Sequence, residues 1–114
     1  MALLPLAYHW LGEVSEPPPM IRHALALFGT MEAPGAADNP AILDWARELG
    51  MEDYRADSIP WCGLFMALVA KRAGKPVPER PLWALSWARF GAAADEPALG
   101  DVLVFKRKGG GHVG

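Results

Sequence analysis

Ile59-Pro60-Trp61-Cys62-Gly63-Leu64-Phe65-Met66-Ala67-Leu68-Val69-Ala70-Lys71-Arg72-Ala73-Gly74 is the stretch on which the fold turns. From Cys62 to Ala73 the only helix breaker is Gly63, and Gly74 supplies a stop. Leu64, Phe65, Leu68 and Val69 fall on one face at helical spacing, and Lys71 and Arg72 lie at the negative end of the dipole. The spacing predicts a helix that begins at Cys62. It is the most hydrophobic helix of the chain, so it is expected at the centre of the fold.

Upstream, Asn39-Pro40 reads as a helix start, because the Asn side chain caps a free amide and Pro at the first helical position loses no hydrogen bond. Ile42, Trp45, Ala46 and Leu49 follow on one face, and Gly50 ends the helix. Further back, Ile21, Ala24, Leu25 and Phe28 recur at helical spacing before Gly29, and residues 29–38 read as loop. Residues 1–19 read as an arm that closes with Glu16-Pro17-Pro18-Pro19, a run that favours extended backbone. The domain proper is therefore expected to span 20–114.

Downstream, 83–90 offers a fourth short helix between Pro81 and Gly91. After Pro97 the texture changes. The β-branched and aromatic run 101–106 reads as a buried strand, and His112-Val113, beyond the Gly109-Gly110-Gly111 turn, opens a second, antiparallel one. The fold class expected is α+β, helices followed by a small antiparallel sheet.

The 114 residues, 52% hydrophobic and 21% charged, suit a single folded domain and exclude a two-domain chain or a disordered one. A net charge of -2 gives no reason to expect nucleic acid as a partner. The charge is unevenly spread: residues 1–61 carry 3 basic and 9 acidic side chains, residues 62–114 carry 8 and 4. That split suits two faces of one domain that attract each other. No apolar run is long enough for a membrane span. The opening MALLPLAYHW lacks the basic region of a secretory signal and carries Pro5 in its apolar run.

With one cysteine, neither an internal disulfide nor a cysteine-rich zinc site can form. Cys62 is therefore either packing or chemistry. At a helix N-terminus, free amides and the positive end of the dipole favour a thiolate. A nucleophilic thiol needs a base, and His112, behind a glycine turn at the head of a strand, is the best-placed of the three histidines. His23 in the first helix and His9 in the arm suit surface or packing roles. Lys106-Arg107-Lys108 reads as a solvated hairpin tip, and the tryptophans as core, although Trp61, beside the thiol, also suits the wall of a substrate cleft.

The order of these pieces resembles the papain-like cysteine amidases and peptidases that cut bacterial peptidoglycan, the NlpC/CHAP superfamily, and in particular its small phage-associated branch. The matching segments are LFGTMEAPG and NPAI, IPWCGLFMALVAKRAG, WALSWARFG and PALGDVLVFKRKGGGHVG, from about residue 20 to residue 114. The resemblance implies a papain-like core, Cys62 as nucleophile and His112 as general base; the residues beside the thiol suit a substrate site on their own account, Trp61 as a wall and Gly63 by keeping bulk away from the sulfur. It implies no metal or organic cofactor, and a peptidoglycan stem peptide as partner, met at a bacterial cell wall by a phage or bacterial protein. In that family the sheet continues past the histidine and carries a third, imidazole-orienting residue. This sequence ends two residues after His112. The sheet is accordingly expected to be incomplete, with an unpaired edge along 102–105, and the triad to lack its third member within the chain. The function expected is amide hydrolysis in the cell wall. The alternative is a non-catalytic remnant that binds wall fragments or serves as a phage structural component. The bond cleaved and the oligomeric state stay open.

Overall fold

The computed structural model describes residues 6–31, 33–34, 38–56 and 60–114. The expected loop at 29–38 and the polar connector 52–58 fall partly outside these residues, as does the apolar opening of the arm. The described elements are a 3-10 segment Leu6–Glu13, helix α1 (Pro19–Leu25), helix α2 (Pro40–Glu48), helix α3 (Cys62–Arg72), a 3-10 segment Ala84–Arg89, and strands β1 (Val104–Arg107) and β2 (Gly110–Val113). The fold is α+β, with helices preceding a two-stranded antiparallel sheet.

Helix α3 is the centre, as its hydrophobicity demands. Its residues Leu64 and Leu68 join Ile42, Trp45, Ala46 and Tyr54 in one apolar cluster. Met66, Ala67, Val69 and Ala70, on its other side, join Met20, Ala84, Trp87 and Val113 in a second. One helix thus holds α2 on one flank and α1 and β2 on the other, with Ala84 and Trp87 of the second 3-10 segment joining the latter cluster. Burial of whole Leu, Ile and Val side chains, each stabilising by ~1.5–3 kcal/mol, fixes this arrangement.

Helix starts follow local chemistry. Asn39 Oδ1 accepts a hydrogen bond from the Ala41 amide at 2.9 Å and caps α2, with Pro40 at the first position. Helix α1 starts at Pro19, one residue before the expected domain boundary, because proline at a first helical position needs no N–H partner. The arm is not extended throughout: Leu6–Glu13 forms 3-10 turns with no buried residue. Residues 84–89 also form 3-10 rather than α-helix. Attraction between the oppositely charged halves takes a concrete form, since Arg72 donates from Nε and Nη2 to the two carboxylate oxygens of Glu48, both at 3.0 Å.

The expectation of a buried strand over 101–106 needs correction. Pairing in β1 begins at Val104, which lies opposite Val113, and runs to Arg107 opposite Gly110. Residue 101 is instead part of a turn, in which Asp101 Oδ2 accepts from the Ala98 amide at 2.8 Å. Only one face of so small a sheet meets the core, so Phe105 stays 51% exposed. Strand β2 begins two residues before His112, with Gly110 and Gly111 in the ladder rather than in the turn. The tip is the pair Lys108-Gly109, with Gly109 at φ 83; Lys106 and Arg107, expected in the tip, are exposed residues paired within β1. Among the described residues no helix is long and apolar enough to cross a membrane.

Candidate functional site

Cys62 is the first residue of α3 and is half-buried, packed against the cluster that holds Met66 and Val113. Helical bonding begins with the Phe65 amide, which donates to Trp61 O at 2.8 Å. The amides of Cys62, Gly63 and Leu64 therefore have no acceptor within the helix. Trp61 occupies the cap position without a side-chain cap bond. An uncapped N-terminus of this kind presents amide donors and partial positive charge beside the thiol.

Trp61 is half-buried, and its ring sits 5.9 Å from that of Trp45 at a tilt of 56°. It therefore belongs partly to the α2–α3 interface. Gly63 is buried, and the structure gives its missing side chain a definite meaning. A Cβ there would lie 2.1 Å from Pro81 O and 3.0 Å from Leu82 Cα. What the glycine admits is the backbone of the loop leading into the second 3-10 segment. Pro81 O is further pinned by the indole of Trp87, whose Nε1 donates to it at 2.9 Å. The first turn of α3 and residues 81–87 are thus locked together.

His112 lies in the middle of β2. Successive strand residues face opposite ways, and Val113 is only 2% exposed, so the imidazole of His112 emerges on the outer face of the hairpin. There it stacks on Phe105, its cross-strand partner, with ring centroids 6.3 Å apart and an interplanar angle of 21°. The structure brings the elements carrying the two residues into contact, α3 against β2. The imidazole itself rests on Phe105. Gly111, next to it, approaches Leu85 and the Phe105 carbonyl so closely that a Cβ would meet them at 2.6 and 2.8 Å. This close packing holds β2 against the second 3-10 segment.

Beside the locked 81–87 segment the surface is hollowed. A cleft of about 540 Å³ runs between residues 50–54 and 80–83. A second, of about 500 Å³, lies between 78–80 and 83–89, and Arg80 and Trp83 belong to both. Trp83, one of the tryptophans expected in the core, is 53% exposed on the ridge between them, whereas Trp45 and Trp87 are buried as expected. Arg80 adopts φ 52, a left-handed conformation unusual for a side-chain-bearing residue. Its carbonyl accepts from the Trp83 amide and from Ser86 Oγ, each at 2.9 Å. The second cleft is formed within one local segment, whereas nothing local in the sequence announces the first, because it arises where two chain segments about thirty residues apart meet. Among the described residues no group of three or more His, Cys, Asp and Glu side chains converges as a metal-ligand set.

Compared with known proteins, the chain matches no protein-family model, no curated protein sequence and no solved structure.

Proposed function

We propose that this protein is a cysteine amidase of bacterial cell-wall peptidoglycan, built on a papain-like core in which α3 carries the nucleophile and the hairpin carries the base. The reading is carried by the position of Cys62, half-buried at the uncapped N-terminus of the central helix with β2 packed against that helix. The order of motifs in the sequence supports it, from the Trp-Cys pair that opens α3 to the Gly-His-Val-Gly end of the hairpin.

In the reaction, His112 takes the proton from the Cys62 thiol and the sulfur attacks the carbonyl carbon of a wall amide. Negative charge develops on the carbonyl oxygen, where the Cys62 amide at the start of α3 supplies a donor whose hydrogen bond strengthens as the charge grows. The C–N bond breaks, and the amine departs with the proton held by His112. Water, deprotonated by the same imidazole, then hydrolyses the thioester to a carboxylic acid and restores the thiol. This chemistry requires the imidazole to leave Phe105 and come within hydrogen-bond reach of the sulfur in the substrate complex.

The test is release of new amino and carboxyl termini from purified peptidoglycan by the protein, by Cys62→Ala and by His112→Ala. Release by the parent and none by either variant, with unchanged circular dichroism, is the expected result. Equal release by Cys62→Ala would overturn the proposal.

A further inference from the structure

The cleft between residues 50–54 and 80–83 has walls of opposite charge. Glu52 and Asp53 stand on one side and Arg80 on the other, all three exposed. Among the described residues their side chains form no ion pair with one another or with any neighbour. Met51, Pro81 and Leu82 supply apolar surface between them, and the exposed ring of Trp83 forms the rim. Opposite charges that line one cleft without neutralising each other are arranged for a ligand that carries both signs.

A second observation points the same way. Arg80 is the one side-chain-bearing residue at positive φ among those described, and the two hydrogen bonds to its carbonyl hold it there. Such conformations are costly and persist where surrounding structure enforces them, often at ligand sites. The segment that carries Arg80 is also the one on which Gly63, the neighbour of Cys62, is packed. A ligand in this cleft therefore lies along the same loop that braces the start of α3.

We infer that this cleft is a binding site for a short zwitterionic peptide, its C-terminal carboxylate facing Arg80, its N-terminal ammonium facing Glu52 and Asp53, and its apolar part against Leu82 and Trp83. The inference rests on the amidase reading only in the choice of a wall peptide as probe, since stem peptides carry both amino and carboxylate groups.

The experiment uses the full chain with Cys62→Ala, so that binding is measured without turnover. Stem peptide released from purified peptidoglycan is titrated calorimetrically, alongside the same peptide N-acetylated and the same peptide esterified. Each blocked peptide is expected to bind about tenfold more weakly than the parent. Arg80→Gln weakens the parent peptide about tenfold and leaves the ester unaffected, while Glu52→Gln with Asp53→Asn weakens the parent and leaves the acetylated peptide unaffected. Absence of parent binding, equal binding of the blocked peptides, or indifference to Arg80→Gln would each overturn the inference. Because the ligand-side changes require no mutation at the cleft, a folding defect cannot produce the expected pattern. Peptide binding without wall hydrolysis by the parent protein would refute the amidase reading alone, and hydrolysis without binding at this cleft would refute the inference alone.

Discussion

Replacing Gly63 by Ala sets two known effects against each other. In an ordinary helix interior the change stabilises by about 1 kcal/mol, because Ala is the better helix former. Here the new Cβ would lie 2.1 Å from Pro81 O, with Leu82 Cα at 3.0 Å and Leu82 C at 3.1 Å. All three are backbone atoms, so no side chain can swing aside and the loop must move by roughly an ångström. Overpacking of this kind costs typically about 1–3 kcal/mol and sometimes more. Moving Pro81 O also breaks the 2.9 Å bond from the Trp87 indole, and a buried donor left without its acceptor costs a further ~1–3 kcal/mol. The clash wins, and we expect net destabilisation of about 2–4 kcal/mol. At ~4 °C or more per kcal/mol for a small domain, the melting temperature should fall by about 8 °C or more. Thermal and urea unfolding followed by far-ultraviolet circular dichroism measure it. Gly12→Ala is the control, since nothing lies within 4 Å of a Cβ there, and should stay within about 0.5 kcal/mol of the parent. A Gly63→Ala protein as stable as the parent would refute the packing of residues 81–82 on α3.

Other expectations follow from single contacts. The Arg72 guanidinium, hydrogen-bonded to Glu48, holds that carboxyl below its ordinary range. The pair therefore stabilises the fold above the unfolded carboxylate's titration and loses that contribution as pH falls through the folded value. Because the two side chains are 34% and 39% exposed, the effect is at most about 1 kcal/mol. Urea midpoints of the parent and Glu48→Gln should differ near neutral pH and converge in acid; a gap that persists in acid would contradict the pairing. Asn39→Ala removes the cap of α2 together with the Nδ2 bond to Met31 O, and should lower stability by about 1–2 kcal/mol in the same assay. Phe105→Ala removes the ring on which His112 rests, and should shift the His112 imidazole proton resonances markedly while those of His23 stay in place.

How much of this was legible in the sequence depends on how local the cause is. The starts of α2 and α3 were readable because Asn39-Pro40 and Trp61-Cys62 carry their own chemistry, and Gly74, at φ 75, ends α3 where a stop was expected. The extent of the hairpin was less readable. Gly110 and Gly111 look like turn residues, yet Gly111 is in the ladder because Leu85 and the Phe105 carbonyl leave no room for a side chain. The same holds for Gly63, whose meaning depends on a carbonyl eighteen residues later in the chain. The position of Cys62 at a helix start was visible, whereas the outward turn of His112 follows from the pairing of Val104 with Val113, a register that no motif prints. The charged cleft was invisible for a related reason, since Glu52 and Arg80 become neighbours of one space only when α3 brings their loops together.

The proposed attack of the Cys62 sulfur on a wall amide leaves an acyl-enzyme that can be trapped. Protein exposed briefly to purified peptidoglycan and quenched in acid should show, by intact mass, a covalent adduct, mapped to the Cys62 peptide and discharged by hydroxylamine as a thioester. His112→Ala should show no adduct. Soluble fragments released with no adduct on Cys62, or the same adduct formed at equal rate by His112→Ala, would contradict the account.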